Sequence, residues 1–175
     1  MGFIGVATML DIGLLAAECQ QVVQTEVVRA LIDVESNGNP LAVAVIGFDR
    51  FFQPSSLTMG NKMLNSLEKR GIKYSAGLMQ ITKDNFAAYE LDNYSVFNPC
   101  VNIKVGADIY HSCLLRSIKQ FGEQNITRNY KNAASCYFSG NFKTGYVLPK
   151  NKPYVERFEE KLNQWLLRNK KNEKH

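Results

Sequence analysis

The chain reads as a single, mainly α domain with a small β-hairpin region. Two observations predict this: apolar residues recur at helical spacing in successive segments, and the β-branched runs are short and confined to the first half. At 175 residues the length suits one domain, and neither an internal repeat nor an interdomain linker divides it. Hydrophobic residues make up 45% and charged residues 21%, ordinary globular usage that favours neither disorder nor membrane embedding.

Met1 to Ala17 is apolar but carries no Lys or Arg and contains Asp11, an incomplete pattern for an export signal. Residues 1–8 are read as a signal remnant or a disordered N-terminus, and Met9 to Cys19 as the first amphipathic helix. Val27, Val28, Leu31, Ile32 and Val34 keep a helical period after Thr25, a potential N-cap. Asn37-Gly38-Asn39-Pro40 supplies the stop, so this helix ends near Ser36. Leu41 to Ile46 is a short strand candidate, followed by a loop over Gly47 to Ser56 that contains Phe51-Phe52. A helix over Thr58 to Arg70 stops at Gly71, and Ile72 to Ser75 is a second short strand. Ala76-Gly77-Leu78-Met79-Gln80-Ile81 then turns into a helix capped by Thr82. Asn98-Pro99 reads as N-cap and first position of a helix to Lys119. Further helices are expected over Asn129 to Phe138 and over Pro153 to Arg168. The last carries Val155, Phe158, Leu162, Trp165 and Leu166 on one stripe. The folded domain therefore covers 9–168, and 169–175 form a basic, frayed tail. No apolar run reaches the roughly 18 residues that a bilayer span needs.

Cys19, Cys100, Cys113 and Cys136 include no CxxC pair, which argues against a structural zinc site and for disulfides. Cys100 and Cys113 share one predicted helix, roughly 20 Å apart at about 1.5 Å per residue. A disulfide tolerates about 7 Å between Cα atoms, so these two cannot pair. Two connectivities stay open: Cys19–Cys100 with Cys113–Cys136, which we prefer, or Cys19–Cys113 with Cys100–Cys136. Four free thiols in a reducing compartment are the alternative. The formal charge is +5, and seven of the basic residues lie beyond Lys150. Such a surface attracts any polyanion, but no nucleic-acid motif accompanies it and none is expected as a partner. His111 and His175 are too few for a metal site or a triad, and no metal or cofactor is expected.

Glu35 lies one turn beyond Leu31 and Ile32 and two turns beyond Val28, so its helix aims a carboxylate toward the apolar side. Desolvation and the negative end of the helix dipole both disfavour its charged form and raise its pKa. A carboxylic acid protonated near neutral pH is what protonation of a glycosidic oxygen requires. On periodicity alone, a fraying helix end that leaves Glu35 in solvent is the competing reading.

The order of three motifs decides between them. Ala30-Leu31-Ile32-Asp33-Val34-Glu35-Ser36-Asn37-Gly38-Asn39-Pro40, then Ala76-Gly77-Leu78-Met79-Gln80-Ile81, then Cys136-Tyr137-Phe138-Ser139-Gly140-Asn141 resembles the lysozyme-like lytic transglycosylases. The resemblance covers Met9 to Gly145 and is closest to the small members that accompany type IV secretion and conjugation machines. It implies a lysozyme-like fold with a hairpin forming one wall of a cleft. Glu35 would be the acid/base catalyst. Ser36, Gly77, Leu78, Met79, Gln80 and Tyr137 would line the sugar site, although Met79 is equally explained as core filling. Phe138 departs from the family pattern, where Asn commonly follows the tyrosine. The implied reaction cuts peptidoglycan between N-acetylmuramic acid and N-acetylglucosamine. Glu35 protonates the leaving oxygen and then deprotonates the C6 hydroxyl, which closes a 1,6-anhydro ring without water. The implied setting is periplasmic, the chain a monomer, and secretion-channel subunits are candidate partners. A hydrolytic lysozyme would need a second carboxylate such as Asp33, Asp49 or Glu68, and a wall-binding module would need no turnover at all. Phe142 to Tyr154 reads as a surface loop, with docking as its rarer alternative.

Overall fold

The structure, a computed structural model, describes residues 10–48 and 50–172. The expectations placed on residues 1–8, on Asp49 and on His175 fall outside that range. Within it the fold is mainly helical with one small antiparallel sheet, the lysozyme-like α+β architecture.

The helices begin where local chemistry allows. Asp11 starts α1 (Ile12–Glu18) by accepting the Leu14 N–H at 3.0 Å, which satisfies one of the donors a helix start leaves free. α2 (Thr25–Glu35) follows Gln24, so Thr25 is its first residue rather than its cap. It buries Val27, Val28, Leu31 and Ile32, and it ends where Asn37 and Gly38 turn left-handed at φ 52° and 81°. Ser56 caps α3 (Leu57–Lys69) and Asn98 caps α4 (Pro99–Phe121). Asn125 accepts the Arg128 N–H at 3.0 Å, so α5 (Ile126–Ser139) begins three residues earlier than its apolar pattern suggests. α6 (Tyr154–Asn172) continues past Arg168 into the stretch expected to fray.

The sheet is larger than the two strands expected. Its order is β2-β1-β3-β4, from β1 (Val43–Val45), β2 (Arg50–Phe52), β3 (Tyr74–Ala76) and β4 (Ile81–Thr82). Phe51 and Phe52, placed in a loop by their sequence, belong to β2, where Val43 faces Phe52. Arg-Phe-Phe has no alternation to mark a strand; its partner makes it one. The helix expected after Ala76 is also replaced. Residues 77–80 reverse the chain between β3 and β4, followed by 3₁₀ turns at Lys83–Asn85 and Ala87–Tyr89. Left-handed Gly77 (φ 84°) and Gln80 (φ 48°) make that turn and are incompatible with a right-handed helix. Thr82 precedes the first of these turns without a side-chain bond to its backbone N–H groups, and its hydroxyl accepts from the Asn85 amide at 2.8 Å.

α4 is the central rod, burying Asn102, Ile103, Gly106, Ala107, Tyr110 and Cys113. Disulfides Cys19–Cys100 and Cys113–Cys136 tie α4 to the end of α1 and to α5. Among the described residues, no helix is long and apolar enough to cross a membrane.

Candidate active site

Glu35 is the last residue of α2, and α6 lies along that helix. The Tyr154 hydroxyl donates to Glu35 Oε1 at 2.5 Å, and Arg157 Nη2 donates to the Val34 carbonyl at 3.0 Å. Further along, Trp165 Nε1 donates to Asp33 Oδ2 at 2.9 Å, and the Asn169 amide bonds Glu26. Tyr154, Arg157 and Trp165 thus hold the last turn of α2, and Asn169 holds its first.

Glu35 faces a cleft of about 870 Å³. One wall is the hairpin, with Ala44, Ile46 and Phe51; the other comes from α5 and α6, with Tyr137, Phe138, Tyr154, Arg157 and Lys161. The carboxyl is partly open to the cleft and enclosed by protein on its other sides. That enclosure raises its pKa from 4.5 to about 7, against smaller lowering effects of the Tyr154 bond and the Arg157 charge. Burial, and then the nearby Glu35, push both Tyr137 and Tyr154 well above the usual phenol range, so each stays a neutral donor. Near neutral pH such a carboxyl is divided between its two forms. It can give a proton to an oxygen seated against it and take one back.

The residues expected around the sugar fall into two groups. Ser36, Gln80 and Tyr137 line the cleft together with Glu35. Leu78 and Met79 are buried with no exposed side-chain surface and face the core. Ser36 Oγ donates to the Leu78 carbonyl at 2.7 Å, and the Tyr137 hydroxyl donates to the Met79 carbonyl at 2.5 Å. Gln80 Nε2 donates to the carbonyls of Ala42 and Gly77, and Ser75 Oγ donates to its Oε1. These bonds draw α2, α5 and the sheet onto the 77–80 turn. At Gly77 a Cβ would collide with the Asn102 amide and the Val96 carbonyl, so only glycine fits.

Asn102, Tyr154 and Arg157 had no role in the sequence reading. Asn102 is fully buried, accepts the Met79 N–H at 2.7 Å and donates to the Ala76 and Val96 carbonyls. Nothing local marks it. Tyr154 and Arg157 carry a signal: with Lys161 they form a polar stripe at i, i+3 and i+7 beside the apolar stripe of α6. Phe138, exposed by 40%, stacks on Tyr154 with ring centroids 4.6 Å apart.

Among the described residues, Asp33 is the other carboxylate lining the cleft, and it is tied to Trp165. Glu68 binds Lys83 and Asn93 away from the cleft lining. Asp49 lies outside the described residues. No group of three or more His, Cys, Asp or Glu among the described residues could hold a metal ion.

A half-enclosed acid at a helix end, presented to a cleft between a small sheet and a helical body, is the arrangement of a lysozyme-like domain. The chain belongs to the transglycosylase SLT domain family, which matches residues 14–153. It is 34% identical over 152 residues to the type IV secretion system proteins virB1 of Brucella abortus, Brucella melitensis and Brucella suis. The aligned region is 85% of this chain and 63% of each relative, so the chain spans less than two thirds of their length. No solved structure matches it.

Proposed function

We propose that the protein is a lytic transglycosylase that cleaves the β-1,4 bond between N-acetylmuramic acid and N-acetylglucosamine in peptidoglycan. The observation that carries this reading is Glu35, an acid with its pKa raised to about 7 at the cleft, beside a neighbouring carboxylate, Asp33, committed to Trp165. Glu35 first protonates the leaving glycosidic oxygen. The substrate's own acetamido group stabilises the positive charge at the anomeric carbon, in place of a second protein carboxylate. Glu35 then takes the proton of the C6 hydroxyl as that oxygen attacks the same carbon and closes the 1,6-anhydro ring. No water, metal or cofactor enters these steps.

Ser36, Gln80 and Tyr137 form the sugar-facing wall. Gly77, Leu78 and Met79 serve it from behind, as the turn on which Ser36 and Tyr137 are anchored. Tyr154 and Arg157 position Glu35. Two disulfides suit an oxidising compartment, and the virB1 relatives are named for type IV secretion. Together they favour a periplasmic enzyme that opens the wall locally for a secretion or conjugation apparatus.

The test is digestion of purified peptidoglycan with the wild type and with Glu35→Gln, reading the products by mass spectrometry. Anhydro-muropeptides from the wild type, and a loss of at least about a thousandfold in the variant, are expected for removal of the sole acid/base. Reducing-end products would make the protein a hydrolase, and binding without release would make it a wall-docking module.

A further inference from the structure

A second concavity, of about 940 Å³, lies between the C-terminal half of α4, the N-terminal half of α5 and the turn after α5. The cleavage mechanism makes no use of it. Arg116, Arg128, Lys131 and Lys143 line it, and among the described residues no Asp or Glu does. Of these four cations Lys131 alone is in an ion pair among the described residues, with Glu159 at 2.8 Å. The other three face the hollow without a carboxylate partner among the described residues, so like charges gather there at a repulsive cost, which is the arrangement of a site suited to anions.

The charges are also held in place. The Arg128 guanidinium lies 4.6 Å from the Phe121 ring centroid and that of Arg116 5.6 Å from Phe142, while the two rings meet edge to face at 5.7 Å. Stacking leaves the edge of the Arg128 guanidinium available for paired hydrogen bonds to a carboxylate, while Arg116 Nη1 donates to Cys136 Sγ at 3.5 Å. The cations come from two helices and a turn around one hollow, so a ligand carrying several carboxylates can engage more than one of them. The phenylalanines carry arginines and each other, so they do not offer the open series of aromatic faces on which nucleic-acid bases stack.

The place of the hollow supplies the ligand. Phe138 lines the catalytic cleft, and Gly140 to Lys143 line this hollow. At 3.8 Å between successive Cα atoms, the two rims are within about 8 Å where they meet. We propose that the hollow binds the carboxylate-bearing stem peptide of a peptidoglycan strand whose sugars occupy the cleft. This proposal rests on the substrate proposed above, and it adds a peptide requirement to it.

Binding to purified sacculi tests it in a Glu35→Gln background, where turnover is silenced. Intact sacculi are compared with the peptide-free glycan strands that an amidase leaves when it cuts the stem peptides, and with them the cross-links, from the sugars, using that protein with and without Arg128→Gln and Lys143→Gln. Stripping should weaken the unmodified groove by about tenfold. The charge-neutralised protein should bind intact sacculi about tenfold more weakly than the unmodified groove and be indifferent to stripping. The single Lys143→Gln variant, at an exposed site, should show a smaller loss in the same direction with an unchanged melting temperature. Equal binding of the two proteins to intact sacculi would overturn the proposal. Competition by an oligonucleotide but not by free stem peptide would also overturn it. Because this readout needs no catalysis, a protein that releases no muropeptide can still show stem-dependent binding. A groove that fails leaves wild-type cleavage to be read separately.

Discussion

Glu35 concentrates the chemistry in one side chain, and its environment sets its protonation. Burial disfavours the carboxylate, while Tyr154 and Arg157 favour it by less, leaving the group near 7. In the proposed mechanism the first step needs the protonated form, so kcat/KM should fall as pH rises through about 7. Tyr154→Phe removes a hydrogen bond that stabilises the charged form. The pKa must then rise, and the alkaline limb should move above its wild-type position even as the rate drops. A pH profile of muropeptide release in both proteins checks this; an unmoved limb, or one shifted to lower pH, would remove Tyr154 from its positioning role. Phe138 bears on the same balance, because its ring stacks on that of Tyr154.

Among the elements, the 77–80 turn carries the most consequence for its length. It joins β3 to β4, receives the hydroxyls of Ser36 and Tyr137 on its carbonyls, and is fastened from behind by Asn102. Asn102→Ala would leave the Met79 N–H and the Val96 carbonyl without the amide that bonds them, at a cost of roughly 3 kcal/mol. Urea unfolding should register that loss. Residual cleavage should fall as well, because the turn supports the cleft wall. A variant with wild-type stability would mean that water or a shifted backbone takes over the amide's bonds. α6 is the other decisive element, since its polar stripe, one helical step from its apolar one, supplies every α6 residue in the cleft.

In the whole molecule, the two disulfides divide the work unequally. Cys19–Cys100 closes a separation of 81 residues and Cys113–Cys136 one of 23. Constraint of the unfolded chain grows with the logarithm of loop length, giving roughly 4.5 and 3.4 kcal/mol on the chain-entropy account. Replacing Cys19 and Cys100 by Ala should therefore lower unfolding stability more than replacing Cys113 and Cys136, as read by denaturant titration. The reverse order would show that the local tie between α4 and α5 outweighs loop closure. The net charge of +5 has a structural counterpart at this scale, because part of it is gathered in the hollow beside the cleft.

Much of this was legible in the residues alone. The periods of α2, α4 and α6, the Asn98 cap of α4, the stop after Glu35 and the impossibility of a Cys100–Cys113 bond depend on neighbours within a few turns of helix, which sequence records directly. So does the side of α2 on which Glu35 sits. The identity of β2, the reversal at 77–80, the burial of Leu78 and Met79 and the choice between two disulfide pairings were decided by tertiary contacts. Most of all, the group that bonds Glu35 comes from 119 residues further along the chain. Local spacing determines which way a side chain points; only the assembled fold determines what it meets there, and that meeting sets its pKa.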